Sequence, residues 1–362
     1  MARGQAWLDR YRRTSPLFAC VFGYTETGTL PDISAAGRTP ADRRKTALAD
    51  AEYLLSGGRT PPHYPLPPLT AGASPAVISR AVIEGLSLPL YVFDAGLPAP
   101  IPQPSVLPPA TVVERFPAVP ARCLTSGAAM TAQQVQDLFA AGLAWGDRLA
   151  NQCDYAILGE CVVGGTTTAL AVLLALGIAA EGQVNSSYPL CNHQRKQDVV
   201  DEGLRRWRER GGDTGPFGVL QGLGDPMQVV VAGLGLALSR RCGVLLAGGT
   251  QMLAVYALLR AIAREIDYPW RPEQIVVGTT RWVAEDPTGQ TVELAKTLAD
   301  VSLLATQLNF RQARFPQLRA YEAGYVKEGV GAGGCAIAAS LQGWTAPSLV
   351  AAIETGFSQL IG

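Results

Sequence analysis

Six short apolar runs punctuate the chain, each ending in glycine or a polar residue. They are LFACVFG at 17–23, LPLYVFDAG at 88–96, DYAILGE at 154–160, FGVLQGLG at 217–224, VLLAGG at 244–249 and IVVGTT at 275–280. Four or more consecutive apolar residues fit strands buried on both faces. Helically spaced stretches separate most of them. This alternation predicts the α/β class, with a doubly wound, mostly parallel, Rossmann-like sheet carrying helices on both sides. Ligands of such sheets lie at the carboxyl ends of the strands. That rule singles out Glu160, Gly248-Gly249-Thr250 and Thr279-Thr280, which close three of the runs. Asp225-Pro226, after a fourth, reads as an N-cap and a first helical residue.

The last residues, SLVAAIETGFSQLIG, read as a helix with Val350, Ile353 and Phe357 on one face. The sequence predicts a large nucleotide-binding domain over 17–310. Residues 1–16 and 311–362 are expected to form a small helical subdomain that completes the site. Two Pro-rich tracts, 60–68 and Pro98 to Pro120, read as extended loops.

Composition narrows the function. Of 362 residues 48% are hydrophobic and 17% charged, enough apolar material for a large core, and the formal net charge is zero, so no electrostatic footprint for nucleic acid exists. Seven scattered cysteines without a CxxC pair fit a reduced, cytoplasmic chain. Two histidines far apart argue against a histidine-built metal site, and no metal or cofactor is expected. MARGQAWLDRYRRT lacks the apolar core of a signal peptide. The uncharged runs Cys161–Ala180 and Cys242–Leu259 approach spanning length, but a Gly-Gly-Thr break shortens the helical part of each. They are expected to be buried helices, not membrane spans.

Glycine-rich segments carry the candidate chemistry. In YVKEGVGAGG, Gly329, Gly331 and Gly334 match the dinucleotide spacing G-x-G-x-x-G, and Glu354 stands near the ribose-binding distance. A terminal helix leaves no second strand to close that unit, so a dinucleotide site is not expected. ILGECVVGGTTTALAVLLAL and VLLAGGTQMLAVYALL both read strand, Gly-Gly-Thr, helix. A helix start offers free N–H groups, and glycine lets a ligand approach the backbone. Gly164, Gly165, Thr166, Thr167, Gly248, Gly249, Thr250, Gly329 and Gly331 are therefore candidate anion or substrate contacts. Plain caps at tight turns are the alternative.

Acid–base work falls to carboxylates. Glu328 and Glu160 lie against glycine-rich backbone, where desolvation would raise the pKa toward that of a useful base. A carboxylate that only caps backbone N–H groups would shift the other way. Lys196, in NHQRKQDVVDEGLRRW, sits one turn before Val200 on the apolar side, as a phosphate partner or as a snorkelling lysine. No P-loop occurs, nor the acidic strand end expected of phosphoribosyltransferases that use a diphosphate donor with magnesium.

Taken in order, GECVVGGTTTALAVLLALG, the Lys196 helix, GLGDPMQVVVAGLGLALS, VLLAGGTQMLAVYALL and YVKEGVGAGG resemble the nicotinate-nucleotide:dimethylbenzimidazole phosphoribosyltransferases over nearly the whole chain. The resemblance is closest to a divergent branch marked by GGTTTA, LAGGTQM, VKEGVGAGG and GYTETG. Where the main family has a GEMGIGNTT-like loop, an acid before the glycine of the second loop and an Asp-His-Gly, this chain has GECVVGGTT, Ala247 and Thr25-Glu26-Thr27. The resemblance implies metal-free transfer of phosphoribose, with inversion, from nicotinate mononucleotide to dimethylbenzimidazole or a purine such as adenine. The product would be the α-ribazole-type phosphate of a cobamide lower ligand. By motif, Glu328 would be the general base, Glu160 would lie near the ribose, and Gly164, Gly165, Thr166 and Lys196 would hold the phosphate. A homodimer is expected by family analogy. The alternative is a non-catalytic protein that keeps the pocket to bind or sense a nucleotide.

Overall fold

The computed structural model describes residues 2–66 and 71–361. Seven strands form one sheet: β1 (Pro16–Phe22), β2 (Leu90–Asp94), β3 (Thr111–Arg115), β4 (Tyr155–Cys161), β5 (Gly243–Ala247), β6 (Ile275–Thr279) and β7 (Ser302–Ala305). Their order is β3-β2-β1-β4-β5-β6-β7 and every pairing is parallel. The order reverses between β1 and β4, so the connections leaving these two strands diverge and open a crevice at their carboxyl ends.

Alternation along each strand divides the core in two. Leu17, Ala19, Val21, Ala156, Leu158, Val244 and Leu246 face one layer, which includes helices Ala132–Leu149, Gly165–Ala175, Pro226–Ser239 and Thr250–Glu265. Phe18, Cys20, Phe22, Tyr155, Ile157, Cys161 and Leu245 face the other, built from Pro40–Ser56, Ala76–Gly85, Ala332–Leu341 and Ala346–Ile361. Both faces of the central strands are buried, which is why those strands appear as unbroken apolar runs. The chain ends enter the same layers. Trp7 Nε1 donates to the Gln274 carbonyl at 2.8 Å, and Ile353 and Phe357 are buried in the second core.

Asp225 caps Pro226–Ser239 through a reciprocal capping box with Gln228, with Pro226 in its first turn. The apolar run 217–224 is not a strand: it forms helix Pro216–Leu223. Periodicity cannot separate a short buried helix from a buried strand. Here Pro216 in the first turn favours the helix, and Gly222 brings it against Trp207, where a Cβ would stand 2.3 Å from the ring. Strands β3 and β7 left no apolar run, because they are edge strands with partly exposed side chains. β3 lies inside the Pro98–Pro120 tract expected to be loop. The other tract, 60–68, runs into 67–70, outside the described residues. The two uncharged runs contain helices Gly165–Ala175 and Thr250–Glu265, and among the described residues no helix is long and apolar enough to cross a membrane.

Candidate functional site

A cavity of about 380 Å³ opens at the carboxyl ends of the strands. Residues from β4 and its loop, the start of Thr250–Glu265, the 185–189 segment, helix Pro40–Ser56 and the 325–330 loop line it. Glu160, Gly164, Gly165, Thr166, Gly249, Thr250, Glu328 and Gly329 all reach its wall. The cavity thus joins three glycine segments that lie far apart in the sequence. Thr167, Lys196, Gly248 and Gly331 do not line it.

The first segment turns sharply after β4. Gly164, at φ +88, enters helix Gly165–Ala175 and comes so close to Gly28 that a Cβ would stand 2.8 Å from its backbone. No side chain fits there. Thr167 is buried behind this turn, and the Thr168 hydroxyl donates to Asp225 at 2.6 Å. In the second segment a Cβ on Gly248 would stand 2.9 Å from Met252 Cγ, and Glu160 Cγ and Oε1 would lie in ordinary contact with it at 3.6 Å. Gln251, one residue into the following helix, donates to Glu160 Oε2 at 2.8 Å. Thr250 is 1% exposed and its hydroxyl has no partner among the described residues.

The third segment shows what the paired glycines Gly333 and Gly334 are for in this chain. A Cβ on Gly333 would stand 2.3 Å from the Thr279 carbonyl carbon, and one on Gly334 2.4 Å from the Ala247 Cβ. The glycines let helix Ala332–Leu341 press its first turn onto β5 and β6. That contact aims the Glu328 carboxylate. Oε2 accepts from Thr280 N at 2.7 Å and Thr279 Oγ1 at 3.0 Å, while Oε1 accepts from Gly333 N at 3.0 Å and Gly329 N at 3.2 Å. Val326, Lys327 and Val330 all have φ between +52 and +69. Such backbone is costly for non-glycine residues and persists where surrounding contacts fix it.

The two glutamates titrate differently. Burial raises the Glu160 pKa to about 8, with further upward pushes from Glu328 and Asp225 and only a partial offset by Gln251. Burial also raises Glu328, but three backbone N–H groups and the Thr279 hydroxyl oppose it. The environments therefore separate the pair. Glu160 keeps the proton near neutral pH, whereas the four donors aimed at the Glu328 oxygens favour its charged form against the burial.

This separation links stability to pH. The ordinary value of 4.5 applies to the unfolded chain, and the folded value of Glu160 is higher. The stability carried by Glu160 is then fully present below pH 4.5 and is lost as the pH rises toward 8. Glu160→Gln removes this dependence. Relative to wild type it is expected to gain roughly 4–5 kcal/mol between acid and mildly alkaline pH. Urea unfolding of both proteins across that range checks this; parallel pH profiles would contradict it.

Two lysines stand behind and in the wall. Lys196 is wholly buried, with Nζ donating to the Asn185 carbonyl, and burial lowers its pKa to about 7. It anchors the segment that brings Asn185 to Pro189 to the cavity. Lys327 lines the cavity and pairs with Asp286 at 2.5 Å, both side chains being 2% exposed. Asp286 is held by Asn185 Nδ2 at 3.0 Å and by the Thr288 N–H and hydroxyl at 2.9 Å each. The sequence reading overlooked Lys327, Asp286, Asn185, Gln251, Asp50 and Ser74. Two of them had a signal: Lys327 its place beside Glu328, and Gln251 its place after Gly248-Gly249-Thr250. His63 and His193 do not line the cavity. Among the described residues no three His, Cys, Asp or Glu side chains are grouped to hold a metal.

A family model described as phosphoribosyltransferase (DBI_PRT) matches residues 70–270. The UPF0284 protein of Cyanothece sp. is 58% identical over 98% of this chain and 94% of its own length. A UPF0284 protein of Microcystis aeruginosa is 56% identical, over 97% and 95%. Among solved structures, the nicotinate-nucleotide-dimethylbenzimidazole phosphoribosyltransferase from Thermus thermophilus superposes with a TM-score of 0.60 at 16% identity, covering 98% of this chain and 91% of that one. CobT from the same organism gives 0.59 at 17%, covering 99% and 88%. At such identities the likeness is one of fold.

Proposed function

The chain belongs to the phosphoribosyltransferase family, and on that premise we propose that it moves the phosphoribosyl group of nicotinate mononucleotide onto a heteroaromatic base, giving an α-ribazole-type phosphate for a cobamide lower ligand. The observation that carries this is the pair of buried glutamates, Glu160 held by Gln251 and Glu328 by four donors, in a cavity that also offers a helix start and a lysine.

The acceptor nitrogen attacks ribose C1 from the face opposite the pyridinium. The bond from C1 to the pyridinium nitrogen breaks and its electron pair neutralises the ring, so nicotinate leaves uncharged at nitrogen. The N–H proton of the acceptor goes to Glu328. Gly329 N makes the longest of the four bonds to that carboxylate and is the one to yield. Protonated Glu160, fixed by Gln251, would face the ribose without adding a second buried negative charge. The start of helix Gly165–Ala175 and Lys327 would receive the phosphate, and Lys196 would act through Asn185. Inversion makes the product an α-nucleotide, and proton NMR of the anomeric signal tests it; a β product would contradict the geometry.

The phosphate grip gives a separate expectation. A charge-assisted bond contributes roughly 1.5–3 kcal/mol, so Lys327→Met is expected to weaken mononucleotide binding by about ten- to a hundredfold. Free base should bind as before. Calorimetry with each ligand checks this, and equal losses for both would make Lys327 structural.

A further inference from the structure

Asp50 is a charged group in the cavity wall that the transfer reaction does not use. It lies on helix Pro40–Ser56, 4% exposed. Its Oδ1 accepts from the Ser74 hydroxyl at 2.5 Å, and Ser74 Oγ is in turn held by Ala76 N at 3.1 Å. Among the described residues its Oδ2 meets only the Cys161 thiol, a weak donor, at 3.5 Å. The partners are a hydroxyl and a thiol, not a cation. An ionised carboxylate accepts about four hydrogen bonds, so this one has acceptor capacity left toward the cavity. A buried acceptor facing carbon is costly; one facing an N–H donor is not.

Position says which part of a ligand meets it. Alternation along β4 sends Glu160 to the face that carries helix Gly165–Ala175 and sends Cys161 to the opposite face, beside Asp50. The start of helix Gly165–Ala175 and Asp50 are thus on opposite sides of the sheet. Asp50 shares its side with the Glu328 loop: Pro75 lies 3.4 Å from the Cβ position of Gly329, and the Tyr321 hydroxyl, buried beside both carboxylates, donates to the Ala73 carbonyl at 2.9 Å. Pro75, Cys161, Val326 and Val330 supply apolar wall there.

We propose that Asp50, oriented by Ser74, is the specificity determinant for the acceptor, selecting a planar heteroaromatic base that carries an exocyclic amine over one that carries methyl groups on that edge. This rests on the phosphoribosyl-transfer reading for the identity of the ligand. A carboxylate at that edge rewards N–H donors, and a methyl-bearing edge would leave it buried against carbon.

Matched probes isolate the amine: adenine and 6-methylpurine differ only in amine against methyl. Calorimetry on the full chain is expected to show adenine binding about ten- to a hundredfold tighter than 6-methylpurine. Asp50→Asn is expected to shrink that preference and Asp50→Leu to abolish it. Nicotinate mononucleotide should bind both variants as it binds wild type, which also shows that they fold. Should the leucine variant not fold, wild type and Asp50→Asn still decide. Equal binding of the two purines by wild type, binding of neither, or preference for 6-methylpurine would overturn the proposal. So would a loss of mononucleotide affinity in Asp50→Asn with the base preference intact, which would put Asp50 on the ribose. A preference for adenine without any transfer would instead refute the reaction and leave the role of Asp50 standing.

Discussion

Glu328→Gln is expected to lower the transfer rate by about 10²–10⁴-fold while mononucleotide affinity changes little. The amide cannot accept the acceptor's proton. It also cannot accept hydrogen bonds on both sides, as the carboxylate does from Thr279 and Thr280 on one oxygen and Gly329 and Gly333 on the other. A second readout separates lost chemistry from a displaced loop. In wild type the single-turnover rate should rise with pH as Glu328 ionises, at a value above the ordinary 4.5 because burial outweighs its donors. In the variant that limb should vanish. Turnover near the wild-type rate, or an unchanged acid limb, would remove Glu328 from the role.

Asp286→Ala is expected to cost about 3–5 kcal/mol of stability, the usual result of stranding one partner of a buried ion pair. Lys327 would keep only the Pro189 carbonyl at 3.4 Å, with the buried Lys196 nearby. Asn185 Nδ2 and the Thr288 N–H and hydroxyl would lose their acceptor as well. Urea unfolding should show a lower midpoint at unchanged slope. If Lys327 faces the phosphate, the ligand supplies the missing counter-charge, so nicotinate mononucleotide should restabilise the variant more than it stabilises wild type. A loss below about 1 kcal/mol would mean that the pair is effectively solvated, as surface pairs are. Equal ligand stabilisation of both proteins would detach Lys327 from the phosphate.

What the sequence made legible follows from locality. Glu160, Gly164-Gly165-Thr166 and Gly249-Thr250 are each readable because a strand end and a helix start are adjacent in the chain, and the parallel sheet brings all strand ends together. Glu328 follows no strand and is readable only from the glycines around it, which serve helix packing against Thr279 and Ala247. Asp50 was not. It sits in PADRRKTALADAEYLLS, a helix buried along most of its length, where no polar stripe marks one carboxylate as facing a cavity. Lys327 and Asp286 meet only because the 324–331 loop turns through the left-handed region, which no local pattern in YVKEGVGAGG announces. Lys196 shows the converse: its side of the helix was readable, but its amine faces the Asn185 carbonyl rather than the cavity. The strand assigned to 217–224 failed because an apolar run records burial and not backbone shape.

The most direct measurement is nicotinate release. Purified protein is incubated with nicotinate mononucleotide and, in turn, a methyl-substituted benzimidazole, purine and adenine, and free nicotinate and new nucleotide are both quantified. The predicted result is base-dependent release of nicotinate, one for each α-nucleotide formed, and its loss in Glu328→Gln. Mononucleotide bound tightly, with no nicotinate released for any base, would contradict the account and mean a nucleotide-binding protein built on this cavity.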